Sequence, residues 1–194
     1  MASSSQNPSH FLLHDIPKTF LMLVSKMNVQ VDPYLQEHLL KSGKIIGIYG
    51  ASGFGREVAP VVSSNLRGIG AEVVFIDDNA AIAGSVNDRP IYNWAKFLAL
   101  DALEKSVVIA VADAHVRSLL VDRCREQMIQ SFDVVATNVF IGDEVAIGEG
   151  HILQPFVTLT SNISIGRYFH ANIYSYVAHD CKIGDFVTFA PWVS

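Results

Sequence analysis

The chain has 194 residues, half of them apolar and 17 % charged, enough for one large domain or two small ones with a true core. Its formal net charge of −5 gives no basic face for nucleic acid, and its two cysteines, Cys124 and Cys181, form no CxxC pair, which argues against a disulfide framework or a zinc site. The longest early apolar run, 20–24, is too short to span a bilayer and the start lacks a basic leader, so a cytoplasmic protein is expected.

Residues 1–43 read as an extension. MASSSQNPSH has the composition of a disordered tail, and the apolar positions scattered over 11–40, among them Leu35, Leu39 and Leu40, suit a short amphipathic helix packing on its own domain. No chemistry is visible there. From 44 to 133 strand and helix signals alternate. KIIGIYG is a short buried strand ending in glycine. REVAPVVSSNL is helical in pattern, with Pro60 tolerable only in its first turn or two. AEVVFIDD and SVVIAVAD are two further strands, and HVRSLLVDRCREQM is a second helix. Strands alternating with helices predict a parallel sheet, an α/β Rossmann-like domain of the size that suits a mononucleotide.

The period changes at Val135. Cut every six residues, the chain reads VATNVF, IGDEVA, IGEGHI, LQPFVT, LTSNIS, IGRYFH, ANIYSY, VAHDCK, IGDFVT, FAPWVS, and every unit but those led by Ala171 and Phe189 begins with Val, Ile or Leu. Glycine recurs in the second position at Gly142, Gly148, Gly166 and Gly184, and the fifth position is apolar or small except at His151. A plain strand has a period of two, so a six-residue period predicts an all-β parallel β-helix over 134–194, three hexapeptides to a coil. Stacking at 18 residues then makes columns of Ile141, Leu159 and Val177; of Ile147, Ile165 and Ile183; and of Val135, Leu153, Ala171 and Phe189.

GIYGASGFGREVAPVV, then VVFIDD, then the repeat with HANIYSYVAHDCKIGDF, resembles the sialic-acid O-acetyltransferase-like sugar acyltransferases, which include the bacterial nucleotide-sugar N-acetyltransferases. The resemblance covers about 44–194. It implies a left-handed β-helix and a homotrimer with CoA in the groove between neighbouring β-helices. It also implies acetyl-CoA as co-substrate and a nucleotide sugar held by the N-terminal domain and acetylated on an amine or hydroxyl; no metal is expected, because the scattered histidines lack i, i+4 or C-x-x-C partners. A sialic-acid O-acetyltransferase and a non-catalytic sugar-nucleotide-binding scaffold are the alternatives. The resemblance further implies coils beyond Ser194, so the chain reads as a C-terminally truncated product lacking a backbone oxyanion donor and part of the CoA groove. Trp192 stands where a small residue is expected.

Gly50, Gly53 and Gly55, with Ala51, Ser52 and Phe54 between them, follow a strand and open a helix. Missing side chains let backbone N–H groups approach a phosphate at a helix N-terminus, and Ser52 can add a hydroxyl. The GxxGxG spacing differs from the dinucleotide fingerprint, and a tight strand–helix turn is the plainer alternative. Asp77 and Asp78 close the next strand, where a carboxylate meets a ribose or base in such folds, or simply caps a turn. Ala112 and Asp113 are candidates to line the same crevice. His179 takes the third position of its hexapeptide, facing outward near a corner, and Asp180 beside it can fix the imidazole tautomer and raise its basicity. The resemblance makes His179 the general base, Asp180 its partner, and Asn172 a residue near the substrate or the base; an amide bonding turn backbone is the alternative for Asn172. Adjacent residues in an extended chain point to opposite sides, so a His179–Asp180 contact requires the corner to turn one of them back. His115, His151 and His170 are expected to be non-catalytic, with His151 pointing inward and needing a hydrogen-bond partner.

Overall fold

The computed structural model describes residues 43–194 apart from Ala80 and Ala83. The helix expected over 11–40 lies outside the described residues. β1 (Lys44–Tyr49) is buried along almost its whole length, as a central parallel strand must be when both faces are covered. α1 (Gly53–Asn65) follows, then β2 (Ala71–Ile76), a hairpin of β3 (Gly84–Val86) and β4 (Arg89–Tyr92), α2 (Trp94–Ala99), β5 (Glu104–Ile109), α3 (Ala114–Glu126) and β6 (Gln130–Ser131). The sheet order is β3-β4-β2-β1-β5-β6, parallel except for the β3–β4 pair. The chain leaves β1 toward β2 and later returns to the other side of β1 with β5. The carboxyl ends of β1 and β5 therefore flank a topological switch point, where open α/β sheets bind ligands.

α1 begins inside the glycine loop, three residues before its expected start, and Pro60 is its eighth residue, beyond the turns where proline costs nothing. The ring is exposed, and the helix runs on to Asn65 because Val58, Ala59, Val61 and Val62 hold it on the sheet. The hairpin, α2 and β6 were not read from the sequence. Asn87 and Asp88, with φ of 49° and 60°, make the hairpin turn; both residue types tolerate the left-handed region that a two-residue hairpin loop requires.

The hexapeptides wind as a three-sided parallel β-helix. One face is β7 (Val134–Val135), β10 (Ile152–Leu153), β13 (His170–Ala171) and β16 (Thr188–Phe189). The second is β8 (Phe140–Ile141), β11 (Thr158–Leu159) and β14 (Tyr176–Val177). The third is β9 (Val145–Ile147), β12 (Ile163–Ile165) and β15 (Lys182–Ile183). All pairs are parallel and in 18-residue register: Leu153 on Val135 and Ala171, Leu159 on Ile141 and Val177, Ile165 on Ile147 and Ile183, Ala171 on Phe189. The small Ala171 leaves room for Phe169 and Phe189, which meet edge to face at 5.3 Å.

Each hexapeptide turns at its fourth residue. Glu144, Gly150, Phe156, Asn162, Tyr168, Tyr174, Asp180, Phe186 and Trp192 all have positive φ, from 54° to 73°. From Asn162 onward, the N–H of each of these residues donates to a carbonyl one coil below, as Asp180 does to Ser161 at 3.1 Å. This corrects the expectation at Trp192. The turn position does not demand a small residue, because its side chain projects from the corner, and Trp192 stacks at 4.3 Å on Tyr174, which stacks at 4.8 Å on Phe156.

The first face of the β-helix is roofed by the sheet portion. Val134, Ala136 and Ile152 share one apolar core with Ile46, Ile48, Val58, Val62 and Phe75. Asn65 at the end of α1 donates to the Val135 carbonyl (2.8 Å) and accepts from the Val135 N–H (3.3 Å). Among the described residues no helix is long and apolar enough to cross a membrane.

Candidate active site

The glycine loop is shaped by contacts that forbid side chains. Gly50 has φ 105°, which an L side chain rarely adopts, and its N–H donates to the Ile76 carbonyl at 2.8 Å. A Cβ on Gly55 would collide with the Gly50 carbonyl oxygen, so the loop closes this tightly only with glycine there. Gly53 faces open space, and Ser52 sits at the N-cap of α1 with its hydroxyl bonded to no backbone of the helix. Phe54 turns away from the opening and packs on the His170 ring at 5.3 Å, which seats the loop against the β-helix.

Asp77 and Asp78 have separate tasks. Asp77 accepts from the Ala51 N–H (3.0 Å) and the Asn79 N–H (2.9 Å), so its carboxylate stands at the glycine loop. Asp78 faces the other way, accepting from the Trp94 N–H at 2.9 Å and from the Tyr49 hydroxyl and Arg123 at 2.5 Å each. Burial alone would push the Asp78 carboxyl up; those three donors hold it below the usual carboxylate value. Burial and then Asp78 push the Tyr49 hydroxyl well up, so it stays protonated and donates. Asp113 caps α3 by accepting from the Val116 N–H at 2.8 Å, and Ala112 stands exposed just before it. Gly50, Ser52, Gly53, Gly55, Asp77, Ala112 and Asp113 thus come together at the switch point, whereas Asp78 is directed away from the glycine loop and ties β1, β2, α2 and α3 together.

His179 and Asp180 meet at the corner between the second and third faces of the β-helix. His179 Nδ1–H donates to Asp180 Oδ2 at 2.6 Å, both side chains being exposed. The contact arises because Asp180 has φ 61° and is pinned by its N–H to Ser161, which swings the carboxylate back over the preceding residue. With Nδ1 protonated, Nε2 carries the lone pair and faces outward. Asn172 lies at a different corner, where its amide donates to the Phe189 carbonyl at 2.8 Å. Within one chain it performs the backbone-bonding role and does not join the pair.

His151 finds the partner it needs in the Gly148 carbonyl, 2.9 Å from Nδ1. His170 is wholly buried between the sheet portion and the β-helix, beside an equally buried Arg117 that sequence reasoning missed. The signal for Arg117 was present: it shares a helical face with Val121 and Cys124, both buried, and so is directed inward. Among the described residues no group of three or more His, Cys, Asp or Glu is placed to hold a metal ion.

Residues 45–124 match the family model described as the PglD N-terminal domain. The chain is 39 % identical over 151 residues to the GDP-perosamine N-acetyltransferase of Escherichia coli O157:H7, a match covering 76 % of this chain and 67 % of that protein. WeeI from Acinetobacter baumannii AYE is similar in structure with a TM-score of 0.73 and 50 % identity, over 76 % of this chain and 70 % of that one. The acetyltransferase domain of PglB from Neisseria gonorrhoeae FA1090, in complex with acetyl coenzyme A, shares the fold at a TM-score of 0.67 and 21 % identity, over 77 % of this chain and 71 % of that one. With the fold it shares with these structures and its identity to the Escherichia coli enzyme over two thirds of that protein, the chain belongs to the nucleotide-sugar N-acetyltransferase family.

Proposed function

We propose that the chain transfers the acetyl group of acetyl-CoA to an amine of a nucleotide-linked sugar, in the cytoplasm, with 44–133 holding the nucleotide and 134–194 supplying the acyl-transfer chemistry. The observation that carries the reading is the exposed His179–Asp180 pair, 2.6 Å apart on a corner of the β-helix. His179 Nε2 takes the proton from the attacking nitrogen as the C–N bond forms at the thioester carbonyl. The C–S bond then breaks, and the proton passes to the departing CoA sulfur. Asp180 holds the tautomer that leaves Nε2 free and stabilises the imidazolium formed in passing. The glycine loop and the first turn of α1 hold the phosphates, with Ser52 as an added donor, and Asp77 meets the nucleoside.

The acyl-transfer corner lies opposite the face roofed by the sheet portion, because 178–181 connects the other two faces. A nucleotide sugar held at the glycine loop therefore reaches the histidine of a neighbouring copy, which supports a homotrimer with acetyl-CoA between β-helices. The second face adds support: Phe140, Phe156, Tyr174, Tyr176 and Trp192 are exposed along it and its leading corner.

The test is release of free thiol from acetyl-CoA on addition of a 4-amino-sugar nucleotide to the purified chain. Thiol release with the wild type and none with His179→Ala, at unchanged nucleotide affinity, is expected. Nucleotide binding with no thiol release would leave a binding-only protein, and release with free sialic acid alone would move the reaction to oxygen.

A further inference from the structure

Arg117 is the largest fully buried side chain among the described residues, and no carboxylate bonds it. Its guanidinium donates from Nη1 to the carbonyls of Val111 (2.7 Å) and Ala112 (3.1 Å), lies 3.3 Å from His170 Nδ1, and donates from Nη2 to the carbonyl of Phe186. Burial brings it down to about 10, which still leaves it charged at neutral pH. A buried cation without a bonded anion is costly, and methionine would fill the same space without that cost. The carbonyls it gathers indicate its use. Val111 and Ala112 belong to the segment after β5 that flanks the switch point beside Gly50. In a planar trans peptide the N–H points opposite the preceding carbonyl. Pulling the carbonyls of Val111 and Ala112 inward therefore directs the N–H groups of Ala112 and Asp113 outward, and among the described residues neither N–H has a hydrogen-bond acceptor. The Phe186 carbonyl belongs to the same coil as His179.

We propose that Arg117 is a positioning residue for the nucleotide end of the sugar substrate: it aims the Ala112 and Asp113 N–H groups into the crevice as a donor pair and fastens that segment to the β-helix. This rests on the reading that the crevice holds a nucleotide.

The experiment uses the full chain with GDP and UDP in turn as calorimetric probes, acetyl-CoA as a third ligand, and melting temperature as the measure of folding. Arg117→Lys keeps the charge but has a single donor nitrogen in place of the planar fork, so it cannot reach the Val111 and Ala112 carbonyls on one side and the Phe186 carbonyl on the other at once. Asn65→Ala removes two other bonds to the β-helix at the far end of α1, roughly 18 Å from the glycine loop. Arg117→Lys is expected to weaken binding of the nucleotide about tenfold with acetyl-CoA affinity unchanged, while Asn65→Ala lowers the melting temperature and leaves nucleotide affinity as it was. Wild-type nucleotide affinity in Arg117→Lys, or equal loss in both variants, would reduce Arg117 to a structural strut and leave the proposed function standing. A wild-type chain that binds neither nucleotide would overturn the crevice reading, and this proposal with it.

Discussion

At the scale of single residues, the chemistry turns on a proton held in place. His179 donates from Nδ1 to Asp180, so the lone pair sits on the outward nitrogen. Asparagine at 180 offers an amide N–H to Nδ1 and favours the other tautomer, with the proton on Nε2, where the base is needed. Asp180→Asn is therefore expected to lower kcat about 100-fold or more with little change in nucleotide affinity, measured by steady-state thiol release; near-wild-type kcat would remove Asp180 from the mechanism. Both residues were identifiable from the sequence as neighbours of the right types. Their contact was not, because it depends on a backbone angle of 61° that the hexapeptide phase imposes on Asp180. The two aspartates after β2 make a similar point. The sequence held them equivalent, and the structure separated them through partners on remote elements, Ala51 for one and Tyr49, Trp94 and Arg123 for the other.

At the scale of elements, the repeat specifies its own register. An apolar residue leading each unit selects the inward column, and the second-position glycine lets the next coil approach. A Cβ on Gly142 would collide with the Thr160 carbonyl, next to Ser161, whose carbonyl pins Asp180. Gly142→Ala is expected to cost about 2–3 kcal/mol and lower Tm by roughly 4–12 °C. Gly184→Ala, where nothing lies within 4 Å of the new methyl, leaves Tm within a degree or so. Equal shifts for the two would mean that coil stacking does not select glycine here. The hairpin and α2 escaped the sequence reading because each is short and its signal local: Asn87-Asp88 for the turn, and Asn93 capping α2 by accepting from the Lys96 N–H at 2.8 Å. Nothing periodic draws attention to such pieces.

At the scale of the whole molecule, the junction between sheet and β-helix carries a pH dependence. Burial, and then the neighbouring Arg117 charge, hold His170 well below its ordinary value of 6.5, against a weaker opposing pull from the Ile109 carbonyl. The unfolded chain then binds more protons than the folded one below about pH 6.5, so the stability contributed by the neutral ring is complete above that pH and is lost as pH falls toward the folded value. Wild type is expected to lose up to about 1.4 kcal/mol per pH unit between pH 6.5 and 5 beyond what His170→Asn loses, read from denaturant unfolding at each pH. Parallel curves would show His170 to be protonated or solvated in the folded state. The placement of the two half-sites gives a second expectation. Chains carrying His179→Ala and chains carrying Gly55→Ala, each inactive alone, should regain activity when unfolded and refolded together, since a mixed assembly pairs an intact glycine loop with an intact histidine corner. No recovery on mixing would place both half-sites in one chain.

The sequence by itself determined the local matters: where the period switches from two and 3.6 to six, which residues fill the prism, that a glycine loop follows the first strand, and that a histidine and a carboxylate stand side by side. Those are properties of neighbours along the chain, and periodicity and residue type encode them directly. Only the tertiary structure decided which carboxylate faces the crevice, that Asn172 bonds backbone at another corner, and that Arg117 and His170 meet in the interior. These depend on residues 17 to 53 positions apart in sequence, brought together by pairing of strands in the sheet, by stacking of one coil on the next, and by packing one face of the β-helix on the sheet.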